Sequence, residues 1–241
     1  MMRPTETRES RAFVLEMKFL ISPACADEIR AWARGHMLPD PHAGGEGGDS
    51  YRVTSLYLDT PDLAVYERRG SYARSKYRVR RYGDSGLVFL ERKLKTRNRV
   101  GKLRSVVPVE DLAWLQDGEA PRGWAGRWFQ DRVRLRNLRP VCQISYRRTA
   151  RLGVTEGGPI RLTVDEGLVA SPADGYRFQA LDGATALLPE QRILELKYKR
   201  EIPGLFKELM QAFNLRPQAA SKYRMAVESL GLRQEAMCLS A

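Results

Sequence analysis

The sequence predicts an α+β domain: an antiparallel eight-stranded β-barrel with helices packed on its outside. About eight runs of strand-forming residues succeed one another, most joined by hairpin-length connections, with helical stretches inserted between them. Within those runs Glu-x-Lys occurs three times, as Glu16-Met17-Lys18, Glu91-Arg92-Lys93 and Glu195-Leu196-Lys197. Residues i and i+2 of an extended chain share a face, so each motif sets a carboxylate beside an ammonium and turns its apolar neighbours the other way. A length of 241 residues, 43% of them hydrophobic, supports a sizeable core.

Residues 1–11 are polar and charged and read as a disordered arm; a single domain is expected over 12–232, followed by a C-terminal tail over 233–241. The first strand is expected over 12–21, where Leu15, Met17 and Phe19 oppose Glu16 and Lys18. Ser22-Pro23 then resembles an N-cap with proline at the first helical position, opening a helix to about Arg34. A glycine-rich loop leads to a strand over 51–58, and Thr60-Pro61-Asp62 reads as the start of a short helix ending near Gly70. Ser75 to Val107 reads as a three-stranded meander with turns at 83–86 and 96–101. Helical stretches are expected over 108–115 and 124–138, with Trp114, Trp124 and Trp128 as packing residues. Strands over 141–152, 160–166 and 192–199 follow, and helices over 203–214 and 222–230 finish the chain.

The polar faces share one character. Lys76, Arg78 and Arg80 lie with Tyr82; Glu91 lies with Lys93 and Lys95; Lys102 with Arg104; Tyr146 with Arg148; Arg161 and Thr163 with Asp165. On an open sheet these faces would meet solvent, whereas in a closed sheet they line a tunnel of cations with a few carboxylates. Such a lining repels itself where water is scarce, and a polyanion makes it sensible. The net charge of +12 also points to an anionic partner. A linear triphosphate or polyphosphate fits, because Arg and Lys bind successive phosphates through charge-assisted hydrogen bonds. The carboxylates Glu16, Glu91, Glu195 and Asp165 either pair with adjacent cations or hold Mg²⁺ or Mn²⁺, and Glu195 is the preferred metal ligand. No Walker sequence, Gly-x-Gly-x-x-Gly, nucleophile elbow or kinase signature occurs. The two histidines, His36 and His42, and the scattered Cys25, Cys142 and Cys238 fit neither a zinc site nor a disulfide framework.

Taken together, eight short segments resemble the catalytic domain of the vacuolar transporter chaperone (VTC) polyphosphate polymerases, within the triphosphate tunnel metalloenzymes. They are residues 16–19, 55–60, Lys76-Tyr77-Arg78-Val79-Arg80, 91–93, Tyr146-Arg147-Arg148-Thr149-Ala150, 161–165, Leu194-Glu195-Leu196-Lys197 and Ser221-Lys222-Tyr223, in the family's order. The resemblance implies an eight-stranded triphosphate tunnel. Within it Lys18, Arg78, Arg80, Lys93, Arg148, Arg161 and Lys222 are phosphate ligands, joined by Lys102 and Lys197. Tyr146 lies near the terminal phosphate and Glu195 holds the metal, Mn²⁺ or Mg²⁺; Arg78, Arg80, Lys93, Arg148 and Lys222 carry the catalysis. Val14 stands where the adenylate cyclase and thiamine triphosphatase branch resembles Glu-x-Glu-x-Lys, which favours the VTC branch.

The implied activity is metal-dependent transfer of the ATP γ-phosphoryl group to a growing polyphosphate chain. Hydrolysis of tripolyphosphate or nucleoside triphosphate is the alternative, with Glu16 or Glu91 orienting water, and non-enzymatic binding of polyphosphate or nucleic acid is the third reading. Nucleic acid is not the expected partner, because the basic residues alternate with apolar ones inside strands rather than forming exposed stripes. No segment resembles the SPX domain or the membrane helices of eukaryotic members, so a stand-alone cytoplasmic catalytic domain is expected, with a separate membrane protein as a candidate partner.

Overall fold

The computed structural model describes residues 7–41, 48–96, 99–116 and 118–234. Among the described residues ten strands appear: β1 (Thr7–Ile21), β2 (Leu38–Pro39), β3 (Ser50–Asp59), β4 (Ser75–Tyr82), β5 (Leu87–Thr96), β6 (Arg99–Pro108), β7 (Arg139–Thr155), β8 (Gly158–Pro172), β9 (Thr185–Ala186) and β10 (Arg192–Tyr198). The helices are α1 (Pro23–His36), α2 (Ala113–Gln116), α3 (Arg127–Leu135), α4 (Gly204–Ala212) and α5 (Lys222–Ser229). β1 starts five residues before the expected strand, so residues 7–11 are part of the sheet; residues 1–6, the proposed arm's remainder, lie outside the described residues. The expected tail lies outside them from residue 235 onward.

All pairings are antiparallel, in the order β7-β3-β4-β5-β6-β1-β10-β8, and the β7–β8 pairing completes the circuit. The two-residue strands β2 and β9 add to β7 and β8. β1 divides its length between two neighbours: Thr7–Ser10 and Val14 pair with β6, whereas Leu15–Ile21 pair with β10. Beside the second half runs the segment before α5, where the Gln218 N–H donates to the Lys18 carbonyl (2.8 Å). The barrel wall is therefore bordered by a loop at this place, and a mouth opens there.

The usual arrangement of an antiparallel sheet, apolar in and polar out, is inverted in the strands that bear the charges. Outward-facing Phe19, Leu162, Leu194 and Leu196 pack against Ile29 and Ala33 of α1 and Phe206 and Leu209 of α4. Tyr77, Val79, Val88, Leu90 and Val107 belong to a second core with Phe129 and Val133 of α3 and Ala226 and Val227 of α5. Each large buried side chain contributes about 1.5–3 kcal/mol, so the helices, lying outside, stabilise the barrel and leave its interior to polar groups.

α1 begins as the sequence predicts, with Ser22 Oγ accepting from the Cys25 N–H (3.2 Å), and runs two residues past its expected end to His36, whose ring stacks on Trp32. The helix expected from Thr60 does not form. Asp59, fully buried, accepts from the backbone N–H groups of Thr60 (2.7 Å), Val65 (2.7 Å) and Tyr66 (2.9 Å), and Leu63 takes a left-handed φ of 56°. One side chain thus satisfies the donors that a helix would have left for its cap, and the segment folds around it as turns. Trp114 meets Trp124 edge-on and Trp128 meets Phe129 in the same way, both within the helical layer.

Candidate functional site

The alternation turns the charged faces inward together. A cavity of about 100 Å³ inside the barrel is lined by Lys18 (β1), Tyr57 (β3), Lys76, Arg78 and Arg80 (β4), Lys93 (β5), Tyr146 and Arg148 (β7) and Glu195 and Lys197 (β10). Ala220, Ser221, Lys222 and Tyr223, at the start of α5, close one side. The cavity adjoins a wider vestibule of about 930 Å³, with which it shares Lys18, Lys76, Lys93, Ala220 and Ser221.

α5 is placed by Tyr223, whose hydroxyl donates to Asp59 (2.6 Å) and whose ring stacks on Tyr57 at 5.4 Å. The buried carboxylate that shapes the 60–66 segment thereby also aims Lys222 into the tunnel. Lys222 pairs with Asp165 (2.6 Å), lies 3.7 Å from Glu195, and sits over the Tyr146 ring at 4.8 Å.

Each interior carboxylate is shared among several cations. Asp165 takes both a 2.6 Å and a 2.7 Å bond from Arg148, besides its Lys222 contact. Glu91, wholly buried, accepts from Arg78 (2.7 Å) and Arg104 (2.7 Å) and pairs with Lys102. Glu195 contacts Lys18 and Lys197, each at 3.1 Å; Glu16 contacts Lys93 (3.1 Å), Lys18 (3.3 Å) and Lys197 (3.8 Å). Arg80 bonds only neutral oxygens among the described residues, Ser55 Oγ at 3.0 Å and Tyr146 Oη at 3.2 Å, and Lys76 likewise bonds Ser221 Oγ at 2.8 Å.

Positive charge remains in excess, and protonation equilibria register it. Burial opposes ionisation of Tyr57, yet Arg78, Arg80 and Lys222 bring its hydroxyl down to about 8. Burial likewise opposes ionisation of Tyr82, and Arg80, Arg104 and Lys102 bring it to about 7. Burial, with Arg104 beside it, pushes the Lys102 ammonium down to about 7 against the pull of Glu91. Burial, with Lys18 and Lys93, pushes Lys76 down to about 8. Burial and the nearby Glu195 work against Glu16, but Lys197, Lys93 and Lys18 hold it at about 2. Burial opposes the charge on Glu195 too, and Lys18, Lys197, Lys222 and Arg148 hold it well below the usual carboxylate range. An interior that makes lysines give up protons and tyrosines ionise is one that an anion would stabilise.

Among the described residues no group of three or more His, Cys, Asp or Glu is arranged to hold a metal. Two carboxylates do converge: Lys18 Nζ lies between Glu195 and Glu16, at 3.1 and 3.3 Å. An ammonium bridging two carboxylates marks a place where a hard cation fits, with its remaining ligands drawn from substrate phosphate and water. Arginines grip the oxygens of Glu91 and Asp165, although Lys222 also stands between Asp165 (2.6 Å) and Glu195 (3.7 Å).

Of the residues singled out in the sequence, Lys18, Arg78, Arg80, Lys93, Tyr146, Arg148, Glu195, Lys197 and Lys222 come together around the cavity. Arg161 and Lys102 stand outside its lining, Arg161 held by Asp40 and by Tyr51 (2.9 Å) and Lys102 by Glu91. Lys76, Tyr57 and Ser221 line the cavity without having been selected as ligands. Lys76 shares the face of Arg78 and Arg80 by simple alternation, so the signal for it was present; Asp40, the partner of Arg161, carried none. Cys142 is buried and Cys25 half-buried, both as free thiols; His42 and Cys238 lie outside the described residues. No described helix is long and apolar enough to cross a membrane.

Solved structures share this fold, among them two putative cyclases. A putative adenylate cyclase from Bacillus halodurans is 14% identical, with a TM-score of 0.51 over 86% of this chain and 92% of its own. A putative adenylyl cyclase from Hippeastrum, described as having a dominant triphosphatase activity, is 12% identical, with a TM-score of 0.51 over 92% of this chain and 97% of its own. No curated protein matches the sequence significantly. The model of the VTC domain matches residues 13–231, almost the whole described barrel with α4 and α5, and the chain belongs to the VTC domain family.

Proposed function

We propose that this chain is a triphosphate-handling enzyme that transfers the γ-phosphoryl group of ATP to the end of a polyphosphate chain held in the barrel. The observation that carries the reading is the surplus of cations around a narrow interior cavity, with Arg80 and Lys76 bonded only to neutral oxygens among the described residues. Phosphoryl transfer is governed by in-line positioning and charge neutralisation. Arg78, Arg80, Lys93, Arg148 and Lys222 supply both, converging from β4, β5, β7 and α5, and Lys18 and Lys197 extend the set from β1 and β10. Tyr146 orders it by accepting from Arg80 and lying under Arg148 and Lys222.

The acceptor is a terminal phosphate oxygen. It forms the new P–O bond as the bond from the γ-phosphorus to the bridging oxygen breaks, and ADP leaves with the electron pair. That oxygen is already anionic, so no general base is needed. Mn²⁺ or Mg²⁺, held by Glu195 with Glu16 adjacent, would neutralise charge on the phosphates. Arg161 and Lys102 belong, on this reading, to the ends of the path rather than to its reacting centre.

Hydrolysis would need a group to orient and deprotonate water. Glu16, held at about 2, is a weak base, and Glu91 has its oxygens engaged by arginines and Lys102; both facts favour transfer over hydrolysis. Incubation with ATP and Mn²⁺, resolved on a gel for chain length, tests the choice. Ladders of increasing length support transfer, and orthophosphate release without ladders overturns it.

A further inference from the structure

The vestibule continues the tunnel's charge along a single strand. Arg80, Arg78 and Lys76 alternate along β4, so that at about 3.3 Å per residue each cation follows the last by about 6.6 Å on the same side, and Arg74 stands in the turn just before the strand. Arg80 and Arg78 line only the inner cavity, Lys76 lines both cavity and vestibule, and Arg74 lines only the vestibule. The four form a rail leading from the interior to the outside.

Arg68 and Arg224 also line the vestibule. Arg224 is spoken for: it donates to the Tyr66 carbonyl (2.8 Å) and lies 3.6 Å from Glu228. The vestibule's other carboxylate, Glu16, is engaged by lysines. Arg68 and Arg74 are exposed and have no carboxylate partner among the described residues. The groups facing Lys76 are Ser221 from the start of α5, Tyr57 from β3, Lys18 from β1, Lys93 from β5 and Arg68 from the preceding loop.

We infer that the vestibule is an extended subsite for a linear polyphosphate, in which Lys76, Arg74 and Arg68 bind the phosphate units lying outside the tunnel proper. The inference rests on the phosphate-tunnel reading given above and adds to it a direction: the chain passes the mouth bordered by the second half of β1, the start of β4 and the segment before α5. A ligand no longer than a triphosphate fills the inner cavity without reaching Arg74, whereas a longer chain spans both. Discrimination by length follows, since the outer cations contribute only when the chain reaches them.

The test compares tripolyphosphate with long-chain linear polyphosphate by isothermal titration on the whole chain, at fixed low salt, for wild type and the exposed-site variant Arg68→Asn/Arg74→Gln. Long-chain affinity is expected to fall about tenfold, the scale of a charged hydrogen bond to phosphate, with tripolyphosphate affinity changed less than twofold. A Lys76→Gln variant is expected to weaken long chains more than tripolyphosphate. Equal loss for both ligands, or no loss for either, overturns the vestibule subsite. A selective loss of ATP affinity would give the vestibule to the nucleoside instead and overturns it as well. If wild type binds neither tripolyphosphate nor long chains, the tunnel reading itself has failed, which is a separate result.

Discussion

Replacing Asp165 with Asn tests whether the interior is held by shared carboxylates. Asp165 is 0% exposed, accepts two bonds from Arg148 at 2.6 and 2.7 Å, and lies 2.6 Å from Lys222. Asn keeps one acceptor, turns an amide N–H₂ toward donors, and leaves two buried cations without their counter-charge. Breaking a buried pair by removing one partner costs about 3–5 kcal/mol. For a urea slope of about 2–3 kcal/mol/M, a loss of about 3 kcal/mol lowers the midpoint by about 1–1.5 M.

The pH dependence has a definite sign. Burial opposes the Asp165 charge, but Arg148 and Lys222 hold its carboxyl below the usual range, so its stabilisation is present above the unfolded-state value, about 4. That stabilisation disappears as pH falls through the lower folded-state value. Urea titrations followed by circular dichroism at pH 7 and down the acid limb should show the variant both less stable and less acid-sensitive than wild type. Added tripolyphosphate should recover more stability in the variant, because it restores negative charge between Arg148 and Lys222. A loss under about 1 kcal/mol at pH 7, or an acid limb parallel to wild type, would refute the reasoning.

Arg80→Met should behave oppositely: with no carboxylate partner to orphan, it is expected to lose about 10- to 100-fold in tripolyphosphate affinity by calorimetry, with a stability change under about 2 kcal/mol. Binding of tripolyphosphate near pH 8 should take up protons, because Lys76, which lines the cavity and lies near 8 when free, gains a proton beside an anion; titrations in buffers of different ionisation enthalpy read this, and net release would contradict it. Glu195→Gln should abolish the response of activity to added Mn²⁺ and lower metal affinity in a triphosphate complex; an unchanged metal dependence would remove Glu195 from the metal site. Tyr223→Phe should cost about 1–3 kcal/mol by leaving the buried Asp59 short of a donor, and should weaken triphosphate binding through Lys222; normal binding at reduced stability would separate α5 docking from ligand capture.

The period-two alternation made the inner faces legible, because charge at i, i+2 and i+4 on β4, and at i and i+2 on β10, has no other simple reading within a closed sheet. The helix boundary at Ser22 was legible too, since a capping hydroxyl is a local device, and α5 begins at the expected residue 222. What failed depended on contacts distant in sequence. The 60–70 segment carries a plausible helix start, yet Asp59 takes its N–H groups and Tyr223, 164 residues away, holds Asp59 in place. β2 and β9 are two-residue pairings that exist only because β7 and β8 offer an edge. In the site, the sequence offered cations in abundance but not their partners. That Glu91 serves Arg78, Arg104 and Lys102, whereas Arg80 and Lys76 have only neutral oxygens among the described residues, is a property of the closed barrel. The two-carboxylate arrangement at Lys18 required β1 and β10 to be paired in register, with Lys18 opposite Glu195 and Glu16 opposite Lys197.

The central claim is that the barrel interior is the polyanion site. A crystal structure with a non-hydrolysable ATP analogue and Mn²⁺ tests it most directly. The account predicts the phosphates between Arg78, Arg80, Lys93, Arg148 and Lys222, with Mn²⁺ bound to Glu195. Phosphates on the outer surface at Arg52 and Arg147, with the interior ion pairs undisturbed, would contradict it.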